Sequence, residues 1–184
     1  MEVTANNKLL FWQNNSPLSN WYPGLKIKSP WGVGNQTLIF DNSEAIFMFL
    51  KAMLFKDPET AQLIADKQDP SSVKKLGRQV KNFDQSIWDQ EKEEIMYLAC
   101  MMKFTRDPDM MEYLLKTNDL ELVEASPYDT IWGIGLSPDD PKAPYEKNWL
   151  GLNLLGKVLM RVRAEIVAEA IAQTENIMHF EKEE

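Results

Sequence analysis

Apolar and polar positions fall in short blocks along this chain, and each block predicts one element. Residues 1 to 8 are polar and read as a loose lead-in, and Leu9 to Trp12 is a short apolar run of strand type. Ser16 to Gly24 (SPLSNWYPG) reads as a loop from its Pro, Asn, Ser and Gly content. Lys26 to Lys28 and Gln36 to Phe40 read as two strands around a turn that contains Gly32 and Gly34. Ser43 to Phe55 (SEAIFMFLKAMLF) is apolar on nearly every side, which predicts a buried helix capped by Ser43 with Glu44 in its first turn.

Asp-Pro pairs then punctuate the chain, each a cap followed by a proline at the first helical position. Asp57-Pro58 predicts a helix to about Asp66, Asp69-Pro70 one that ends near Gly77 and Arg78, and Asp107-Pro108 one through about Lys116, with Asn118 as a reasonable end. Between them, Asn82 to Thr105 is the longest helix, with Trp88, Ile95, Ala99 and Met102 on its inward face. Leu120 to Glu124 is a strand, and Ser137 to Lys147 (SPDDPKAPYEK) is a surface excursion or a lid. The last helix runs from Gly151 to about Gln173, its apolar stripe being Leu155, Val158, Leu159, Val162, Ile166 and Ala170, and the tail HFEKEE frays. Without repeat or linker, residues 1–184 form a single domain with its core at about 9–165. The class is α+β, mostly helical, packed on a small antiparallel sheet.

Composition narrows the chemistry. At 184 residues and 44% hydrophobic, the chain can bury one sizeable core, and its formal charge of −8 opposes bulk binding to nucleic acid or anionic membrane. Cys100 and His179 are single, which leaves no disulfide framework and no Cys-rich or His-rich metal site. No apolar run approaches 18 residues and the start lacks a signal-peptide pattern, so a cytoplasmic, reducing setting is expected. Carboxylates, Lys or Arg, aromatics and backbone must then carry any reaction, without cofactor or metal.

The stretch Leu122 to Leu136 (LVEASPYDTIWGIGL) concentrates such groups. It delivers one carboxylate, Asp129, one indole, Trp132, and the glycines Gly133 and Gly135 at a strand-to-loop transition suited to a flat ligand. The same stretch also reads as a loop holding a core Trp. Glu44 and Lys51, seven residues apart, share one helix face, either as a paired edge or as the lining of a pocket. Arg78 offers a fork for phosphate unless it is merely solvated, and Trp88 is a core position unless something singles it out.

Six pieces in order, PLSNW (17–21), SEAIFMFLKA (43–52), LGR (76–78), Trp88, LVEASPYDTIWG (122–133) and NLLGKVLMRVR (153–163), resemble the NADAR family of YbiA-like proteins over roughly residues 9 to 165. That resemblance implies an N-glycosidase that cleaves the bond between ribose and base, acting on phosphoribosylamino intermediates of riboflavin synthesis or on ADP-ribosylated guanine. The family's catalytic positions fall on Glu44, Trp88 and Asp129, and its substrate contacts on Asn20, Lys51 and Arg78, beside Trp132 and Gly133. Two departures, Ala45 where YbiA has a His and the Pro-rich excursion after WGIGL, bear on substrate choice. In this reading Asp129 stabilises the sugar cation, Glu44 activates water (or the two exchange roles), and an aromatic plate holds the base. The partner is a small phosphorylated ribosyl nucleotide or an ADP-ribosylated base. The rival reading is a module that binds ADP-ribose or a similar nucleotide without cutting it.

Overall fold

A computed structural model describes residues 1–33 and 36–180, so the expected turn position Gly34 and the end of the charged tail lie outside the described residues. The first strands, β1 (Glu2–Ala5) and β2 (Lys8–Phe11), pair antiparallel, with Ala5 opposite Lys8. The lead-in expected to be loose is therefore a strand. Its connection, Asn6-Asn7, has φ of 50° and 58°, a two-residue turn whose left-handed residues match the twist of a hairpin.

A second hairpin, β3 (Ile27–Val33) with β4 (Gln36–Phe40), forms a separate two-stranded sheet. Six helices follow in chain order, broken by one strand: α1 (Ser43–Leu54), α2 (Pro58–Lys67), α3 (Pro70–Gly77), α4 (Gln85–Arg106), α5 (Pro108–Lys116), then β5 (Glu121–Glu124) and α6 (Leu154–Phe180). The Asp-Pro caps behave as read. Asp57 accepts from the Thr60 amide, Asp69 from that of Ser72, and Asp107 from those of Asp109 and Met110. The cap of α1 is Asn42, one residue before the expected Ser43, because the Asn42 side chain accepts from the Ala45 amide.

The fold is α+β as expected, but the main sheet is mixed, in the order β1-β2-β5 with β5 parallel to β2. A parallel pair buries both faces, which explains the unbroken apolar run Leu9 to Phe11. Leu9, Phe11 and Leu122 join the helical core, while Leu10 and Val123 form a smaller cluster on the other face with Ala125, Ile134 and Ala143. Ala143 anchors the Pro-rich excursion there, and the Trp149 indole donates to the Ala143 carbonyl at 2.7 Å. That segment covers the back of the sheet.

Helix α6 packs so close to β5 that a Cβ on Gly156 would meet the Leu122 carbonyl oxygen at 2.0 Å. Its stripe is buried as far as Ile166. Ala170, expected on that stripe, is exposed because the helix has by then run past the domain. Among the described residues no helix is long and apolar enough to cross a membrane.

The outer edge of β5 is held by Asn153, 1% exposed and left-handed at φ 52°. Its amide nitrogen donates to the Leu122 carbonyl and its oxygen accepts from the Glu124 N–H, both at 3.0 Å. Replacing Asn153 by Ala strands two buried backbone groups and is expected to cost about 2–4 kcal/mol in urea unfolding. A loss under about 0.5 kcal/mol would contradict that account.

Candidate active site

The amino end of α1 is tied to the Ser-Asn loop. The Glu44 N–H donates to the Asn20 carbonyl at 3.1 Å, and the Ser43 hydroxyl donates to the Asn20 side-chain oxygen at 3.0 Å. From behind, the Lys103 ammonium, 1% exposed, donates to the Ser19 carbonyl at 2.7 Å. Burial pushes the Lys103 pKa down to about 7, so this buried group is only partly charged near neutrality. These bonds fix where the first turn of α1 presents Glu44.

Opposite, β5 runs into a turn that begins with Glu124 and Ser126. The Asp129 Oδ1 accepts from the Ile131 and Trp132 N–H groups at 2.9 and 2.8 Å, which locks that carboxylate and sets the indole that follows. The carbonyls of Ile131, Trp132 and Gly133 in turn accept from residues 153–155, so the amino end of α6 carries the loop. A Cβ on Gly133 would meet the Glu124 and Asp129 carbonyl oxygens at 2.8 and 2.9 Å. Only glycine lets the loop close on itself there.

Between these elements lies a cleft of about 680 Å³. Glu44, Glu124 and Asp129 line it with the aromatics Trp12, Trp21, Tyr128 and Trp132, and with Lys74 from α3. The Lys74 ammonium stands 5.8 Å from the centre of the Trp21 ring. Tyr128, 88% exposed, leans toward Trp12 at 6.0 Å between ring centres, an aromatic pair at the mouth.

Electrostatics single out two of the carboxyls. Burial, opposed by Lys74 and reinforced by Asp129, raises the Glu44 pKa to about 7. A place in the first turn of a helix favours ionisation by about 0.3–1 kcal/mol, and desolvation overrides it. Burial, with the charge of Asp129 added, raises Glu124 to about 8.

Of the residues expected in the site, Glu44, Asp129, Asn20 and Trp132 line the cleft. Asn20 is largely committed to the scaffold, its amide nitrogen reaching the Met96 sulfur at 3.1 Å. Gly133 is buried behind the loop. Lys51, Trp88 and Arg78 stand to one side. The Lys51 ammonium donates to the Gly77 carbonyl at 2.8 Å and sits 4.9 Å from the Trp88 ring centre, while Arg78 is exposed where α3 ends. Phe47 links the two regions, 5.4 Å from Trp88 and 5.2 Å edge-on to Trp132. Sequence reasoning missed Glu124, Lys74 and Tyr128, while Trp21 stands in the PLSNW piece, where packing and ligand contact are both open. Glu124 and Tyr128 lay inside the stretch already singled out, while Lys74 carried no sign beyond a short basic helix.

The NADAR domain family matches residues 10–167 of this chain. The chain belongs to that family. This NADAR chain is 40% identical over 147 residues to N-glycosidase R617 of Acanthamoeba polyphaga mimivirus, a match covering 80% of this chain and 85% of R617. It is 38% identical over 167 residues to Protein irg-1 of Caenorhabditis elegans, covering 86% of this chain and 79% of that one. Its fold is similar to the NMR structure of the E. coli protein YbiA, with TM-score 0.69 and 25% identity over 92% of this chain and 90% of YbiA. The NADAR fold thus accounts for the mixed sheet and helical cluster described above.

Proposed function

We propose that this chain is an N-glycosidase that hydrolyses the bond between ribose and a base nitrogen in a phosphorylated or ADP-ribosyl nucleotide. The observation that carries this reading is the gathering of Glu44, Glu124 and Asp129 in one aromatic-walled cleft. Breaking a ribosyl C–N bond builds positive charge on the sugar, and carboxylates held in a desolvated cleft answer that charge. Asp129 takes this role, since two backbone N–H groups hold one of its oxygens and fix the carboxylate against the loop. Glu44, with its pKa near neutrality, accepts a proton from the attacking water. Trp21, Trp132 and the Trp12–Tyr128 pair offer flat faces to the base.

Lys74 is the cation placed to meet phosphate in the cleft, while Trp88, with Lys51 over its ring, backs the wall through Phe47. R617 carries the same activity in its name. A buried free thiol at Cys100 fits a reducing, cytoplasmic setting.

The test is a substrate panel: NAD, ADP-ribose, ADP-ribosylated guanine nucleotides and phosphoribosylamino-pyrimidines, with released base followed by chromatography. Base is expected from at least one phosphorylated or ADP-ribosyl member. Ligands that bind and stay intact across the panel would replace the hydrolase reading with a binding module.

A further inference from the structure

Glu124 differs from the other two carboxyls of the cleft in carrying a fully buried oxygen that no group among the described residues satisfies. Its Oε2 is buried and takes no hydrogen bond from any group among the described residues. Its backbone is clamped on both sides, the N–H by Asn153 at 3.0 Å and the carbonyl by the Ile134 N–H at 3.0 Å, so the side chain is delivered to the cleft wall by a rigid strand. A bare carboxylate oxygen enclosed in this way is costly, whereas a carboxylic acid carries a proton it can donate into the cleft.

The charges around Glu124 come from four elements: Asp129 on the loop after β5 and Glu44 on α1, both negative, and Lys74 on α3 and the Met1 amino group before β1, both positive. Burial is the largest influence, the two acids add to it, and the pKa stands at about 8. The unsatisfied, enclosed Oε2 and the acids beside it thus favour the protonated form of Glu124.

We propose that Glu124 is a catalytic residue that enters the reaction as the protonated acid and delivers its proton to the departing base nitrogen. This rests on the N-glycosidase reading above. As the ribosyl C–N bond breaks, its electron pair goes to the base nitrogen, which takes the Glu124 proton and leaves as neutral base. Water adds its oxygen to the sugar carbon and gives a proton to Glu44. Net, one water is consumed, and the Glu44 proton returns to Glu124 through solvent.

Two substrates separate this role from mere support of the cleft. One is whichever panel nucleotide the parent protein cleaves; the other is a 4-nitrophenyl ribosyl phosphate, whose phenolate departs without a proton. Glu124→Gln, isosteric with the protonated acid, is expected to lose about 10²–10⁴-fold on the nucleotide and under about 10-fold on the nitrophenyl compound. The parent's rate is expected to fall above about pH 8, and that falling limb should vanish in Glu124→Gln. An equal loss on both substrates, or full activity on the nucleotide, overturns the acid role while leaving the hydrolase reading intact. A parent protein that releases no base from any nucleotide removes both.

Discussion

Replacing Glu44 by Gln is expected to cut base release by about two to four orders of magnitude while leaving substrate affinity within a few-fold. The substitution keeps volume and shape, and Ser43, Asn42 and Asn20 hold the first turn of α1 without help from the Glu44 carboxyl. What goes is the proton acceptor. Because the acceptor must be ionised, the parent's rate should climb as pH rises toward about 7, and Glu44→Gln should lack that climb. Steady-state kinetics from pH 5 to 9, with circular dichroism to confirm folding, decide it. Near-parental turnover by a folded Glu44→Gln protein would remove Glu44 from the chemistry.

The second large effect is on stability. Folded pKa values of about 7 for Glu44 and about 8 for Glu124 lie above the ordinary 4.5, so the native state holds more protons than the unfolded chain between pH 4.5 and 8. Stability then falls as pH rises through that window. Lys103 works the other way. Its folded value of about 7 lies below 10.5, so it makes stability rise from pH 7, helped by Lys51, also lowered by burial. Above about pH 9 the Cys100 thiol, pushed up to about 12 by burial, opposes that rise. Carboxylates with lowered values, such as Asp57, Asp69 and Glu165, act below their ordinary range and leave this window alone.

The expected urea-midpoint curve has a trough near pH 7–8, the overlap of the two windows. Glu44→Gln combined with Glu124→Gln should flatten its falling side and gain a few kcal/mol at pH 8, since each tenfold difference in proton affinity between folded and unfolded chain is worth roughly 1.4 kcal/mol. Lys103→Met should flatten the rising side. A curve without a trough, or one unchanged in the double variant, would mean that these groups are not held as the geometry has them.

Local rules were legible in the sequence where one short segment decided the outcome. Asp57, Asp69 and Asp107 each precede a proline, and a cap with a preset φ needs no tertiary partner to start a helix. The buried character of α1 was equally plain from its composition. Strand β1 was missed because Glu2, Val3, Thr4 and Ala5 alternate only weakly, though Asn6-Asn7 is a turn signal that reveals the hairpin. The parallel partnership of β2 and β5 joins residues more than a hundred positions apart, and no local pattern encodes it.

The site divides along the same line. Glu44 and Asp129 stand in recognisable motifs, and the structure brings both to one cleft. Glu124 sits at the end of an apolar strand, and its raised pKa comes first from burial, then from Asp129 and Glu44, with Lys74 opposing, a setting that only the folded chain assembles. Lys74 and Arg78 are one helical turn apart, yet α3 ends at Gly77, leaving Arg78 in solvent and Lys74 on the cleft wall. At Gly77 a Cβ would run into the Met48 side chain, so α3 and α1 meet there at glycine-only separation.

The amide of Asn153 has a wider reach than the stability of one strand. By occupying the Leu122 carbonyl and the Glu124 N–H, it does the job of a neighbouring strand without being one. A sheet so finished offers no template on that flank for another polypeptide to add to. Self-association there would have to be built from side chains, and a variant that frees this border would expose the protein to strand-swapped assemblies and fibres.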